Sequence, residues 1–515
     1  MTMSDHARPN ILLITSDQQH YSTLGAVNDR IRTPALDRLC REGTRFNRAY
    51  CPNPTCTPTR ASIITGKMPS EHGAWSLGTK LFEDVPTVGD MLGRAGYYTS
   101  LIGKAHFQPL ASRPGYESLE CQPTLRDLDF WRKFNGPWYG FQHIELARNH
   151  GDEAHVGQHY AIWMEKHGLK NWRDYFEPWP HPKPGDGWKR DYYRPENRAW
   201  TLPEEHHYTR WTGERTIAQL EQAAAEGKNF FVWSSFHDPH PPYIVPEPWA
   251  SMYDPAEMPI GELTPGEHDA NPEHFRQTQT DDKEYWRKVS RGEAIHGGRC
   301  QLHDDDELRK DVACYYGMVS FMDQQIGLIL DTLDRLGLAE NTLVVFSTDH
   351  GHFLGQHGLV AKAIHHYEDL LRLPFIVRWP GKAPAGAVSE ALQNHVDLSP
   401  TFLSAAGLET PDDMTGVDQV ETWSGGQAAR EWSITENHHG TRHFHMRTLV
   451  GQRYKITLYR DGDDGELFDL QEDPGEVKNL WHDPTAAAVK TEMLHRFIQA
   501  TLRAEPMRMP RIAGA

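Results

Sequence analysis

The chain has 515 residues, of which 38% are hydrophobic, and it contains 16 tryptophans. This length and apolar content exclude a disordered protein and exceed one usual hydrophobic core, so we expect a large globular domain with a smaller one attached. The formal net charge of −18 argues against nucleic-acid binding, and an anionic substrate would have to be met by a local cluster of basic side chains.

Strands and helices are predicted to alternate along the chain. Asn10–Ser16 (NILLITS) is a continuous apolar run, which is typical of a central strand buried on both faces. Pro34 and Gly43 bound a short predicted helix, and Thr33 is its expected N-cap. Further strands are predicted at 97–102, 230–236 and 342–347. This order is typical of an α/β fold with a mostly parallel sheet covered by helices on both faces.

The segment from about residue 127 to 208 is rich in Trp, Tyr, His and Pro and has weak periodicity. We interpret it as insertion loops over the active face. Two pairs of histidines, His150 with His155 and His206 with His207, match no strong zinc-binding spacing. These histidines are therefore predicted to be solvated loop residues.

A long helix and a small C-terminal unit complete the predicted fold. Apolar residues recur at helical spacing over 306–336, and Gly337 is the expected C-cap. Strand-like runs and a final helix follow at 447–450, 454–458 and 489–502. We expect a catalytic α/β domain at 1–420 and an antiparallel α+β domain at 421–515.

The apolar run ILLIT near the N-terminus is too short for a signal sequence and lacks a basic region and a cleavage site. No stretch approaches the length of a transmembrane span. We therefore expect a cytoplasmic protein without a membrane partner. The six cysteines show no disulfide framework and no CxxC spacing. Five of them are interpreted as core or near-surface residues: Cys40, Cys51, Cys121, Cys300 and Cys314.

Polar residues follow each of the four main predicted strands. Asp17 follows the first strand, and Asp349 with His350 follows the last. The clusters GKAH (103–106) and HDPH (237–240) follow the two strands between them. Because the carboxyl ends of parallel strands lie at one edge of a sheet, these clusters are expected to converge on one site.

The sixth cysteine begins the sequence Cys56-Thr57-Pro58-Thr59-Arg60, which resembles the signature of type I sulfatases. In that family the cysteine of a CxPxR core is oxidised to Cα-formylglycine. The polar clusters after the strands and the run GELFDL (465–470) lie in the family's order. The resemblance spans about residues 10–480 and is weakest in the tryptophan-rich segment. It implies an alkaline-phosphatase-like fold and an arylsulfatase-like hydrolase.

The chemistry of sulfate esters explains why an ordinary nucleophile is not enough. The oxygens of a sulfate ester repel an anionic nucleophile, so the site must neutralise them. A hydrated aldehyde offers one hydroxyl to attack sulfur and a second that expels sulfate by collapse back to the aldehyde. Ser and Cys have no second hydroxyl, which is a physical reason to modify Cys56. Pro58 indicates a helix start, where the positive end of the dipole favours an anion.

The resemblance assigns roles to the basic residues. Arg60 lies one helical turn beyond Cys56 and would orient the hydrate. Lys104 would bridge the sulfate and the hydrate, and His106 would take the proton from the second hydroxyl.

The leaving-group side of the site is assigned in the same way. His240 matches the family's histidine near the leaving group, with Lys362 as its companion cation. His237 is the competing choice for this role.

A metal site is predicted from the carboxylates that end two strands. Asp17 and Asp349 at one sheet edge would repel each other unless a cation lies between them. The commonest family pattern has a second aspartate after the first and often an asparagine after the last, whereas Gln18 and His350 occupy those places here. Calcium is the first choice for one divalent ion, and the imidazole makes manganese the alternative.

Two other functions remain open at this point. Phosphonate monoester hydrolases and phosphodiesterases of the same superfamily also use formylglycine and resemble this chain at the metal site. A noncatalytic anion-binding protein with an unmodified Cys56 is a remote alternative, since it would not need so many basic residues. The predicted partners are a small aryl, alkyl or sugar sulfate and a formylglycine-generating enzyme, with a homodimer as the alternative to a monomer.

Overall fold

The structure is a computed structural model that describes residues 8–178, 197–280, 282, 304–362, 364–439 and 444–505. Cys300 and the part of the tryptophan-rich segment at 179–196 lie outside the described residues. The predictions made for them are therefore not tested by this structure.

The strands are numbered in chain order within the described residues. They are β1 (Asn10–Ser16), β2 (Thr44–Phe46), β3 (Ala49–Tyr50), β4 (Tyr98–Gly103), β5 (His143–Leu146), β6 (Asn197–Ala199), β7 (Phe230–Ser235), β8 (Tyr243–Val245), β9 (Thr342–Thr348), β10 (Phe353–Leu354), β11 (Val360–Ala361), β12 (Arg372–Leu373), β13 (Ile376–Arg378), β14 (Ala387–Ser389), β15 (Gln393–Asn394), β16 (Ser433–His439), β17 (Phe444–Val450), β18 (Tyr454–Tyr459) and β19 (Gly465–Asp469).

The α-helices are numbered in the same way. They are α1 (Pro34–Glu42), α2 (Cys56–Thr65), α3 (Pro69–His72), α4 (Val88–Arg94), α5 (Leu128–Trp131), α6 (Gln158–Lys166), α7 (Tyr208–Glu226), α8 (Glu273–Gln277), α9 (Asp305–Arg335), α10 (Glu368–Leu371), α11 (Leu398–Ala405), α12 (Val420–Trp423) and α13 (Ala487–Arg503).

The main sheet has eight strands in the order β14-β2-β13-β9-β1-β7-β4-β5. The five strands from β9 to β5 pair in parallel, whereas β13 pairs antiparallel with both β9 and β2. In the central register Leu12 lies opposite Val232 on one side and Val344 on the other. The predicted mostly parallel sheet is therefore confirmed.

Alternate residues of β1 point into two separate hydrophobic cores. Ile11 and Leu13 belong to the core on one face, which also contains residues of α2, α4 and α11. Leu12 and Ile14 belong to the core on the other face, which contains residues of α7 and α9. Both faces of the strand are buried, which explains why its sequence is apolar without alternation.

The element bounds agree closely with the sequence predictions for the longest elements. The first strand has the predicted bounds, and the strands β4, β7 and β9 differ from theirs by one residue at one or both ends. The helix α9 begins and ends one residue before the predicted range. Gly337 follows it with φ of 69°, the left-handed conformation expected at a helix C-terminus.

Thr33 is the N-cap residue of α1, as predicted, but its side chain does not cap the helix. The side chain of Thr33 makes no capping hydrogen bond and instead donates to Asp37 Oδ1 at 3.1 Å. The carboxylate of Asp323 in α9 accepts hydrogen bonds from the backbone N–H groups of Ala35 and Leu36 at 2.9 and 2.8 Å. A residue distant in sequence thus caps this helix, which local sequence patterns cannot show.

The tryptophan-rich segment is more regular than insertion loops. It contributes α5, α6 and the edge strand β5 of the main sheet. Trp131 and Trp172 are fully buried in the first core. The prediction that its histidines are solvated is wrong for His150 and His207, which are 5% and 0% exposed. The aromatic residues bury much of the described segment against the sheet, and His150 and His207 are buried with it.

The C-terminal sheet has four antiparallel strands in sequential order, β16-β17-β18-β19. Its side chains Leu449, Ile456 and Leu467 form a third core with Met493 and Phe497 of α13. The expected smaller antiparallel α+β unit is therefore confirmed, whereas the boundary at residue 420 stays a prediction.

Cysteine burial agrees with the expectation within the described residues. Cys51, Cys121 and Cys314 are buried, Cys40 is half-buried, and each is a free thiol. Of the helices that the structure describes, none combines the length and the apolar character that crossing a bilayer requires.

Candidate active site

The four predicted polar clusters meet at the carboxyl edge of the main sheet. Asp17 follows β1, Lys104 follows β4, His237 follows β7 and Asp349 follows β9, and each of them is 0% exposed. The parallel pairing of these strands places their ends side by side, as the sequence predicted.

Cys56 is the first residue of α2, where the helix dipole favours negative charge. Its Sγ lies 3.2 Å from Lys362 Nζ, 3.3 Å from His350 Nε2 and 3.7 Å from Asp17 Oδ1. Burial and the charge of Asp17 raise the pKa of the Cys56 thiol, although Lys104 and Lys362 oppose them. A raised thiol pKa disfavours simple thiolate catalysis, since the thiolate is the reactive form of cysteine.

Arg60 lies on the same helix and is fully buried. Its Nε donates to Asp349 Oδ2 at 2.9 Å, and its Nη1 donates to Ser235 Oγ at 2.7 Å and to the Lys104 carbonyl at 3.0 Å. Its Nη2 is buried without a hydrogen-bond partner among the described residues and lies 3.8 Å from Asp17 Oδ2. The Nε and Nη1 atoms of Arg60 are therefore held by hydrogen bonds, whereas Nη2 can still donate to another group.

Lys104 forms a buried ion pair with Asp17 and a hydrogen bond of 2.7 Å to His150 Nε2. His106 accepts a hydrogen bond of 2.7 Å at Nε2 from Arg148 Nη2. Burial, reinforced by the positive charge of Arg148, holds the pKa of His106 well below its usual value. In the part of the chain that the structure describes, its Nδ1 is buried without a partner.

His240 lies beside Lys362, with 3.2 Å between Nε2 and Nζ. Its Nδ1 donates to the Pro241 carbonyl at 2.6 Å. His237 instead donates from Nε2 to the Ala147 carbonyl at 3.0 Å, and it is fully buried. His240 therefore lies beside Lys362, the cation that contacts Cys56. His237 is instead bonded to the backbone carbonyl of Ala147.

Three of the four predicted metal ligands lie in one buried cluster with Cys56. Asp17, Asp349, His350 and Cys56 each offer a ligand atom, and these atoms lie within 4.8 Å of one another. Burial alone would raise the pKa of Asp17, but Lys104 and other positive neighbours hold it well below its usual value. Both carboxylates thus carry negative charge toward the same space, which favours a divalent cation.

His350 adds an imidazole nitrogen to the two carboxylates, and this donor set fits a borderline metal ion. His350 donates from Nδ1 to the Gly351 carbonyl at 3.0 Å, which leaves the lone pair of Nε2 facing the cluster. Burial lowers the pKa of His350 to about 4, so the ring is neutral and able to coordinate. Gln18 donates its backbone N–H to Asp349 Oδ1 at 3.0 Å, and its side chain donates from Nε2 to His352 Nδ1 at 2.8 Å. Its Oε1 is buried and accepts no hydrogen bond from the residues described.

Two buried residues of the site were missed from the sequence. Arg148 contacts His106, and His150 contacts Lys104. Both follow the edge strand β5, so they are placed as the other clusters are, directly after a strand of the sheet. The strand has only four residues, and its sequence HIEL lies in a segment that we interpreted as loops.

Comparison with known proteins identifies the family. Residues 9–408 match the sulfatase family, and residues 355–503 match the C-terminal region of N-sulphoglucosamine sulphohydrolase. An arylsulfatase of Clostridium perfringens is 29% identical over 92% of this chain and 90% of its own length. The multifunctional alkaline phosphatase superfamily protein PehA of Trinickia caryophylli is 27% identical over 94% of this chain and 93% of its own length.

The fold is likewise that of known structures. The phosphonate monoester hydrolase of Silicibacter pomeroyi superposes with a TM-score of 0.77 over 97% of this chain and 96% of its own, at 24% identity. This likeness confirms the expected alkaline-phosphatase-like architecture. With its family match over most of its length, the chain belongs to the sulfatases, the sulfuric ester hydrolases of the alkaline phosphatase superfamily.

Proposed function

We propose that this protein hydrolyses sulfate monoesters with a formylglycine hydrate derived from Cys56 and one divalent metal ion. The observation that supports this most directly is the position of Cys56 at the start of α2, in contact with the cation Lys362 and with Asp17 and His350 of the buried cluster. An arylsulfatase-like reaction needs both a cationic and a metal-binding side at its nucleophile.

The modified residue would supply two hydroxyls, one to attack sulfur and one to allow release of sulfate. A metal ion held by Asp17, Gln18, Asp349 and His350 would polarise the sulfate oxygens. Calcium is our first choice, and the neutral imidazole of His350 makes manganese the alternative.

The surrounding side chains of the chain have separate roles in this proposal. Arg60 is anchored by Asp349, and its remaining donor Nη2 would orient the hydrate at residue 56. Lys104 holds the sulfate against residue 56, and His106 binds the second hydroxyl and controls its proton. These groups are fixed before substrate binds, so little reorganisation is needed during the reaction.

His240 and Lys362 would act together at the departing oxygen. Because His240 Nδ1 donates to Pro241, its Nε2 is the atom that faces Lys362 and the reacting centre. A proton held between Nε2 and Nζ would be available to an alkoxide leaving group. This geometry favours His240 over His237 as the histidine of the leaving-group site.

Hydrolysis of phosphonate monoesters or phosphodiesters is the second candidate. It is favoured by His350 in the buried cluster, by Gln18 in place of the commoner second aspartate, and by the similarity in fold to a phosphonate monoester hydrolase. Rates on matched 4-nitrophenyl sulfate, phenylphosphonate and phosphodiester substrates distinguish the two candidates. A preference for the sulfate supports the first, and a preference for either phosphorus ester supports the second.

Maturation of Cys56 tests the mechanism common to both candidates. Co-expression with a formylglycine-generating enzyme should increase the fraction of residue 56 that has lost sulfur, measured by peptide mass spectrometry, and activity should rise in proportion. Full activity in protein that retains the thiol would contradict this mechanism. Cys56→Ala, which cannot be converted, is the control. In the cell we propose a cytoplasmic enzyme that acts on a small sulfate ester, as a monomer or a homodimer.

A further inference from the structure

His150 is a buried histidine of the active site to which the sequence motif assigns no role. It lies four residues after the edge strand β5 and is 5% exposed. Its ring contacts Lys104 by a hydrogen bond, lies 3.5 Å from Asp17 Oδ2 and stacks on His240. One side chain thus contacts the residues proposed for the sulfate side and for the leaving-group side.

Glu153 fixes which nitrogen of His150 carries a proton. Oε2 of Glu153 lies 3.1 Å from His150 Nδ1 and also accepts the backbone N–H of His150 at 3.1 Å. A carboxylate can only accept, so Nδ1 is the donor of this pair. In the neutral ring Nε2 is then an acceptor, and it receives a hydrogen bond of 2.7 Å from the Lys104 ammonium.

The contact with His240 depends on the shape of the ring and not on its nitrogens. The two imidazoles lie with their centroids 3.7 Å apart and their planes at 16°. Stacking at this distance restricts rotation of His240 about its side-chain bonds. The Nδ1 hydrogen bond to Pro241 fixes the ring at one edge, and the face of His150 fixes its plane.

We propose that His150 is a positioning residue. Its Nε2 orients the Lys104 ammonium by accepting a hydrogen bond, and its ring face orients the His240 ring by stacking on it. This inference rests on the proposed function, because it assigns Lys104 to the sulfate and His240 to the leaving group. The two contacts use different features of one side chain and are therefore separable by substitution.

Two variants of the full-length, metal-loaded protein separate these contacts. His150→Phe keeps a flat ring to stack on His240 but removes the acceptor for Lys104. His150→Gln removes the ring but keeps an oxygen that can accept from Lys104. The measurements are kcat/KM for 4-nitrophenyl sulfate and phenyl sulfate, and calorimetric affinity for inorganic sulfate, which needs no turnover.

The two variants should give opposite patterns. His150→Phe should lower kcat/KM by about tenfold or more on both esters and weaken sulfate binding by a similar factor, as expected for a misplaced charged donor. His150→Gln should retain sulfate binding within about threefold and lose much more rate on phenyl sulfate than on 4-nitrophenyl sulfate, because only the poorer leaving group needs the aligned proton donor.

His143→Phe is the matched control. His143 belongs to β5, seven residues before His150, and also pairs with a carboxylate, Glu145, at 3.0 Å. This variant should match the wild type in both measurements. Metal content and unfolding temperature are recorded for all variants, so that loss of metal or of folding is recognised.

Equal losses by both variants on both esters, with sulfate binding changed alike, would overturn the inference and leave His150 a structural residue. Wild-type behaviour of both variants would also overturn it. Failure of the proposed function is distinguishable, because it shows in the wild-type protein as absent sulfatase turnover. The sulfate affinities of the two variants still decide whether His150 orients Lys104.

Discussion

Charged side chains around Cys56 are buried with their partners. Arg60, Lys104, Asp17 and Asp349 are each 0% exposed. Removing one member of such a group leaves another charge buried and unpaired, which costs about 3–5 kcal/mol. Substitutions here therefore test chemistry only when folding and metal content are measured alongside activity.

Asp349→Asn should abolish turnover and lower the content of bound metal. The substitution removes a negative charge that faces Asp17 in the metal cluster and that also accepts from Arg60 Nε at 2.9 Å. We expect kcat/KM to fall by about 100-fold or more, because changing even a residue that only orients a metal ligand commonly costs about 10- to 100-fold in metal affinity or activity. Elemental analysis and aryl sulfatase assays measure the two effects.

Chelation of the wild-type protein gives the matching test for the metal. Activity should be lost on treatment with a chelator and restored by calcium or manganese. An active enzyme with no stoichiometric divalent ion would contradict the assignment of the ligands.

His240→Ala should reduce hydrolysis of poor leaving groups more than that of good ones. An alkoxide needs a proton as the S–O bond breaks, whereas 4-nitrophenolate is stable without one. The dependence of log(kcat/KM) on leaving-group pKa should therefore become steeper than in the wild type. If the loss is equal across the series, Lys362 or His237 is the proton donor instead.

At the scale of elements, α1 and α9 are joined by a carboxylate cap. Asp323 accepts from the first free backbone N–H groups of α1, and it is 1% exposed. Unsatisfied N–H groups at a buried helix end are costly, and a capping side chain relieves that cost. This contact ties the first helix after β1 to the long packing helix on the same face.

Asp323→Ala should lower the free energy of unfolding by about 1–2 kcal/mol, the usual effect of removing a helix cap. Urea unfolding followed by circular dichroism measures this change. Asp331→Ala is the control on the same helix, because Asp331 is 73% exposed and pairs with Arg38 at the surface. That variant should change stability by less than about 1 kcal/mol. Equal effects of the two substitutions would show that the cap contributes little.

At the scale of the whole molecule, a chain of histidines and carboxylates links segments that are far apart in sequence. His357 Nδ1 lies 2.8 Å from Glu267 Oε1, and its Nε2 lies 3.5 Å from Asp369 Oδ2. Asp369 also pairs with His20, just after β1, at 2.8 Å. Burial alone would lower the pKa of His357, but the hydrogen bonds to Asp369 and Glu267 raise it to about 9.

This raised pKa predicts how stability depends on pH. The folded state holds the His357 proton more tightly than the unfolded chain, so its contribution is complete below pH 6.5 and is lost as the pH rises through about 9. The contribution is on the order of 3 kcal/mol, from the size of the shift. His357→Gln should therefore be less stable than the wild type at pH 6.5, and the difference should shrink by pH 9.5 in urea unfolding.

His482→Gln is the control for this pH dependence. His482 pairs with Asp464 at 3.0 Å on the surface, with 63% of its side chain exposed. Exposed pairs contribute little to stability, so this variant should follow the wild-type curve. A His357→Gln curve that runs parallel to the wild type across the same pH range would contradict the raised pKa.

The sequence by itself determined the central strands, the long helix and the residues expected at the end of each strand. Asn10–Ser16 carries its own signal, since a strand buried on both faces must be apolar throughout. Cys56 was singled out by spacing within five residues, and Asp17 and Asp349 by their position after strands. These features are local, so they can be read along the chain.

Only the tertiary structure decided which distant residues complete each site. Asp323 replaces the Thr33 side chain as the cap of α1, and Arg148 and His150 join the active site from a segment that we interpreted as solvated loops. The reason is physical: burial and hydrogen bonding of these side chains depend on which strand lies at the edge of the sheet and which helix crosses it. The residue pattern of one sequence indicates the periodicity of a helix or strand, but it does not indicate which elements pack against it.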